Sequence, residues 1–155
     1  MASKTPVIRQ TAWLSMIPQI VVILLLMFIF YQIEDRYFLV MAAAVYIVLG
    51  VTLRTAVPSQ HRKGLYLARK QSYEEALVYF QESVVFFREH RWVDQYRYLV
   101  LLSSSRISYL EMDLINEAFC LSQMGKKAEA IQKYEETLTE FPDSQIAKTA
   151  LQTLK

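Results

Sequence analysis

Glycine and proline are scarce, with three Gly and four Pro in 155 residues, and so low a content excludes a loop-rich all-β fold and favours long helices. Cysteine is scarcer still. The single Cys120 cannot form an internal disulfide, and no Cys/His cluster with metal-ligand spacing occurs. Gly-rich phosphate loops, nucleophile elbows and paired-His zinc motifs are all missing. Charged residues make up 21% of the chain, and the net charge of +2 is too small to point to nucleic acid. His61 and His90 each stand beside an arginine and are expected to be solvated. Cys120 lies on an apolar helix side and is expected to be a buried small hydrophobe. Glu74-Glu75 and Glu135-Glu136 are adjacent pairs expected to solvate outer faces, and Ser103-Ser104-Ser105 to be helix-interior serines. No catalytic, cofactor-binding or metal-binding residue is assigned, and the expectation is a protein that is not an enzyme.

Apolar residues, by contrast, make up 54%, and the excess is concentrated in residues 1–57. Residues 12–31 carry no charge, and from Ile20 to Tyr31 every side chain is apolar or aromatic. About 20 such residues cross a bilayer as a helix. A second uncharged run covers 37–53 and ends at Arg54. Gln32-Ile33-Glu34-Asp35-Arg36 joins the two, so the pair reads as a transmembrane helical hairpin. Pro18 is expected to kink the first helix, and Ala43, Ile47 and Gly50 to give the second a close-packing face. A secretory signal is the competing reading, but the apolar stretch is too long and no small-residue cleavage site follows it. Lys4 and Arg9 precede the first span, and Arg54, Arg62, Lys63, Arg69 and Lys70 follow the second. The positive-inside rule then places both termini on the cytoplasmic side, or the stromal or matrix side in an organelle. Residues 54–106 hold nine Lys/Arg against five Asp/Glu, and residues 107–155 five against eight. The basic half suits anionic lipid headgroups, with Arg54, Arg62, Lys63, Arg69 and Lys70 as the candidate membrane-surface contacts.

Residues 58–155 contain an internal repeat. Residues 64–71 align with 118–125, and 73–80 with 127–134. Gly64 pairs with Ala118, Leu67 with Leu121, Ala76 with Ala130, Phe80 with Tyr134 and Ser83 with Thr137, each pair 54 residues apart. A small residue on a first helix and an aromatic on a second let two helices pack closely. This pattern resembles the tetratricopeptide-repeat (TPR) family, whose unit has such a helix A, a turn, a helix B with Ala and an aromatic four later, and a closing Pro. Residues 112–142 match through Leu114, Ala118, Leu121, Gly125, Ala130, Tyr134 and Pro142. Residues 58–87 match less well, since Gln71 stands where the family has its turn glycine and no proline closes the unit.

The spacing of 54 exceeds the family's 34. The extra residues fall between Arg88 and Glu111, where Tyr96, Leu99, Ser103, Ile107 and Leu110 continue a helical stripe. An inserted helix over 94–111 is therefore expected, capped by Asp94 with Val93 against Tyr98 and running on into helix A of the second unit, with a break at Ser103-Ser104-Ser105 as the variant. A capping helix is expected over 144–155, with Ile146, Ala150, Leu151 and Leu154 on one side. The predicted fold class is thus all-α: a two-helix transmembrane hairpin followed by a TPR-like array.

The resemblance implies a partner-binding groove lined by the A helices, here His61, Leu65, Ala68, Arg69, Met112, Ile115, Phe119, Ser122 and Gln123. Its apolar content implies a partner protein that offers a helix or apolar peptide. For Phe119 the competing expectation is a core position against the capping helix at Ile146 and Ala150. Two units are fewer than an isolated stack usually needs, which points to an interaction role. The leading expectation is a membrane-tethered adaptor or assembly factor. The alternative is a structural subunit of a larger membrane complex or transporter in which the hairpin is the functional part, and a homo-oligomer is a further expected assembly.

Overall fold

The computed structural model describes residues 16–155; Lys4, Arg9 and the beginning of the first predicted span, 12–15, lie outside the described residues. Among the described residues the fold is all-helical, without strands. Its helices are α1 (Met16–Ile33), α2 (Phe38–Ala56), α3 (Ser59–Arg69), α4 (Tyr73–Glu89), α5 (Arg91–Gln95), α6 (Arg97–Val100), α7 (Tyr109–Gln123), α8 (Lys127–Glu140) and α9 (Gln145–Leu154). They form two compact units. One holds α1, α2 as far as Leu53, and residues 96–107; the other holds residues 54–95 and 108–155.

In the first unit, α1 and α2 have 18 and 19 residues and are long and apolar enough to cross a membrane. At 1.5 Å per residue the shorter covers about 27 Å, close to the hydrocarbon thickness of a bilayer. No residue of α1 is buried. Phe28, Val40 and Val48 are each about two-thirds exposed. The packed face of α2 differs from the expected one, since Ala42 and Gly50 are buried while Ile47 is 61% exposed. Ala42 and Gly50 lie eight residues apart and share a helix side. A Cβ on Gly50 would meet Leu102 at 3.8 Å, so this face receives residues of the 96–107 segment.

The expected continuous helix over 94–111 does not form, and the chain is irregular at Ser103-Ser104-Ser105, where the variant reading placed a break. The chain instead makes α5, α6 and an irregular stretch up to Ser108. Leu102 takes φ +48°, a left-handed conformation that ends a helix. The serines then bond locally, Ser105 Oγ donating to the Ile107 carbonyl at 2.8 Å, the competition with helical bonding that such side chains offer. Asp94 does not cap an inserted helix either. Its carboxylate accepts the amides of Tyr109 and Leu110, both at 2.9 Å, and so closes the start of α7. Ser108 completes that N-terminus by accepting from Glu111 N at 3.1 Å.

The second unit stacks two helical hairpins, α3–α4 and α7–α8, with α9 packed on α8. The hairpins share their turn as well as their packing. Ser72 N donates to Leu67 O and Gln71 N to Ala68 O; 54 residues later Lys126 N donates to Leu121 O and Gly125 N to Ser122 O. Each turn is a Schellman closure with a left-handed residue at its apex, Gln71 at φ 63° and Gly125 at φ 79°. Gly64 and Phe80 fix the first hairpin's spacing, since a Cβ at 64 would lie only 2.7 Å from the Phe80 ring. Ala118 and Tyr134 hold the corresponding places in a cluster with Ile115 and Ala147, flanked by Leu138, Ile146, Ala150, Leu151 and Leu154. Ser144 caps α9.

Two substitutions test this packing in thermal melts of the full chain in detergent. Gly64→Ala forces the fully buried Phe80 ring aside and should cost about 1–3 kcal/mol. Gln71→Gly removes a left-handed non-glycine residue and should raise stability by up to about 1 kcal/mol. A neutral G64A, or a destabilising Q71G, would contradict the geometry described.

Candidate partner-binding face

The first helices of the two hairpins, α3 and α7, carry the residues that the sequence assigns to a groove, and they meet α4 at a buried polar cluster. His61 on α3 is 5% exposed and Asp113 on α7 is fully buried. His61 Nδ1 lies 2.5 Å from Asp113 Oδ1, and Ser83 Oγ on α4 donates to Asp113 Oδ2 at 2.6 Å. Tyr109 meets the His61 ring edge-on at 5.3 Å and stacks on Phe87 at 5.2 Å. One carboxylate thus joins three helices. Burial raises the pKa of Asp113, against the hydrogen bonds from His61 and Ser83 that favour its charged form. Because the carboxylate sits between the histidine and the serine, the histidine cannot activate the serine, and the cluster lacks the arrangement of a nucleophile with its base.

This placement corrects several expectations. His61 is a core residue bonded to Asp113, so a partner cannot reach it. Ile115 is 8% exposed and packs on Tyr134 and Ala147, which gives it the place against the capping helix considered for Phe119. Phe119 is half-buried, and its ring meets Tyr73 edge-on at 6.0 Å. Leu65 and Ala68 are half-buried against the cluster of Ala76, Phe80 and Cys120. Met112 and Ser122 are also half-buried, while Arg69 and Gln123 are exposed. Met112, Asn116, Phe119 and Gln123 recur at helical spacing along one open stripe of α7. Asn116 was absent from the sequence assignment, although its position between Met112 and Phe119 placed it on their face.

Several other polar groups pack or pair within the stack. Cys120 is buried, and burial together with the nearby Glu117 charge pushes its thiol pKa up to about 12, which makes it an inert packing residue. Glu117, 2% exposed, accepts from Lys133 at 3.2 Å. Lys133 reaches Glu136 at 2.8 Å, Arg88 bridges Glu136 and Glu140, and Arg91 pairs with Glu140. Glu136 is therefore part of an ion-pair ladder from α7 across α8 to α4 and α5, and is only partly a solvated residue. Burial raises its pKa, but the hydrogen bonds from Arg88 and Lys133 outweigh that and hold it below the ordinary glutamate range. His90, expected in solvent, is half-buried and stacks on Phe86 at 4.6 Å. Arg54, Arg62, Lys63, Arg69 and Lys70 are all exposed. Lys70 lies over the Tyr66 ring at 4.4 Å and Lys63 over Tyr79 at 5.4 Å.

The raised pKa of Asp113 has a direct consequence for stability. The folded chain holds this proton more tightly than the unfolded chain does, so the group's contribution is greatest below the usual carboxyl range near pH 4 and falls as pH rises through the higher folded value. Asp113→Asn keeps the shape and cannot ionise. The stability difference between wild type and D113N should therefore move in favour of D113N with rising pH, as read from melts across a pH series. A constant difference would show that Asp113 titrates alike in both states.

No family model, curated protein or solved structure matches this chain.

Proposed function

We propose that this chain is a membrane-tethered adaptor or assembly factor. In this reading α1 and α2 span the bilayer with both termini on the cytoplasmic side. Residues 58–155 act as a TPR-like array that holds a helix or apolar peptide of a partner protein. The observation that carries the reading is the coupling, in one short chain, of two outward-facing apolar helices of spanning length to a helical stack that leaves apolar side chains half open. Leu65 and Ala68 on α3, with Met112 and Phe119 on α7, supply that apolar surface. Asn116, Ser122, Gln123 and Arg69 border it with polar groups, the composition of a binding face with a polar rim. His61 and Ile115 support it from beneath.

Arg62 and Arg69 lie seven residues apart on α3, as do Lys63 and Lys70, so each pair shares a helix side. With Arg54 they form the proposed contact with anionic headgroups. The small residue–aromatic contacts at Gly64–Phe80 and Ala118–Tyr134, and the matched turns at Gln71 and Gly125, support the TPR-like part of the reading.

Two experiments test it. Single cysteines introduced at Glu34 and Thr153 should label from opposite sides of sealed membranes; labelling of both from one side would sink the topology. Phe119→Ala should leave the melting temperature nearly unchanged and strongly reduce the proteins crosslinked to the chain in intact membranes. An aromatic anchor of this kind is typically worth about 2 kcal/mol or more of binding. Unfolding by F119A, or an unchanged crosslinking pattern, removes Phe119 from the binding face.

A further inference from the structure

The segment that interrupts the repeat is packed with the apolar helices. Gln19 Nε2 on α1 donates to the Leu102 carbonyl at 3.1 Å, and Tyr46 Oη on α2 donates to Gln19 Oε1 at 3.4 Å. Leu102 also covers Gly50, and Leu101 and Leu102 are at most 1% exposed. Gly50 precedes Arg54, the first charge after the span, by four residues, about 6 Å along a helix axis. Leu102 therefore sits about one helical turn inside the charged boundary of α2.

Irregular backbone at such a depth is tolerated only where its polar groups find partners within the protein, and four amides of this segment do. The amides of Leu99 and Val100 bond to Tyr96 O, and those of Leu101 and Ser103 to Arg97 O. Arg97, 8% exposed, closes the base of the loop. Its Nε donates to Ser105 O at 3.1 Å and its Nη2 to Arg106 O at 2.7 Å, while its guanidinium lies over the Tyr98 ring at 4.6 Å. Between Arg97 and Ser103 the sequence is Tyr98-Leu99-Val100-Leu101-Leu102, with no charge. Leu99 is nevertheless 53% exposed, and Tyr96 at the base is 56% exposed. An apolar tip with a tyrosine at its base and arginines on both flanks is the arrangement expected at a membrane interface.

We propose that residues 98–103 are a third membrane-embedded element, an apolar loop that enters the cytoplasmic leaflet beside α1 and α2 and places Leu99 against lipid acyl chains. The proposal rests on the reading of α1 and α2 as spans. Gln19 is its anchor, its side-chain amide holding the Leu102 carbonyl at 3.1 Å.

Site-directed spin labelling of the full chain in phosphatidylcholine–phosphatidylglycerol liposomes tests this. Nitroxides are placed singly at Leu99→Cys, at Leu24→Cys in α1, and at Gln81→Cys on the exposed side of α4. Native Cys120 is fully buried, and wild type serves as the labelling blank. Collision with oxygen is compared with collision with a water-soluble nickel chelate. The expected result is that Leu99 favours oxygen, as Leu24 does, while Gln81 favours nickel. Leu99 favouring nickel while Leu24 favours oxygen would overturn the loop and leave the spans intact. Low collision with both reagents at Leu99 would mean cover by protein, and would equally overturn lipid contact. Leu24 favouring nickel would remove the spanning reading and the loop with it.

Discussion

The close approach of helix pairs at a small residue facing an aromatic is the constraint on which the C-terminal unit depends. With no side chain at 64, α3 comes near enough to α4 for the Phe80 ring to lie against its backbone, and the ring is then fully excluded from water. Burying such a side chain contributes about 1.5–3 kcal/mol. Ala118 and Tyr134 repeat the arrangement in the second hairpin. The turns at Gln71 and Gly125 return each second helix along its first in the same way. A repeated local solution of this kind builds a stack in which each hairpin supports its neighbour.

The two hairpins are joined at a more demanding contact, the fully buried Asp113. A carboxylate removed from water is costly unless its lone pairs are occupied. Here His61 from α3 and Ser83 from α4 occupy them. Replacing either partner leaves a polar atom stranded, so the cluster specifies one register between three helices more sharply than apolar packing alone. Asp94 does comparable work at the start of α7. It satisfies two helix amides that would otherwise lack partners, after the chain has left the stack for the 96–107 segment and come back.

Much of this was legible in the sequence, for definite reasons. Long charge-free runs announced α1 and α2, and the 54-residue echo announced both hairpins, because a small residue, an aromatic and a turn at fixed offsets have few other packing solutions. The capping helix followed from Ser144 and its apolar stripe. The continuous helix over the insertion does not follow from its pattern, because Tyr96, Leu99, Ser103 and Ile107 keep helical spacing while the serines, where the variant places a break, and the left-handed Leu102 favour local turns, and periodicity carries no information about that competition. Ser108 and Glu111, a capping-box spacing, were the missed signal for a helix start at Tyr109. His61 was read as solvated because its partner Asp113 lies 52 residues away, and a lone histidine beside arginine gives no sign of a distant carboxylate.

In the proposed reading lipid solvates α1, α2 and the 98–103 loop, and water solvates the stack. In hydrocarbon an opened backbone amide has no water to bond, so spanning helices keep their hydrogen bonds when a soluble unit has lost its own. Hydrogen–deuterium exchange of the full chain in lipid nanodiscs, followed across a urea series, tests this most directly. The expected result is that α3, α4, α7 and α8 lose protection together at one urea concentration, while α1 and α2 remain protected beyond it. Exchange of α1 and α2 in the same transition as the stack would identify them as core helices of a soluble protein and rule out their crossing a bilayer.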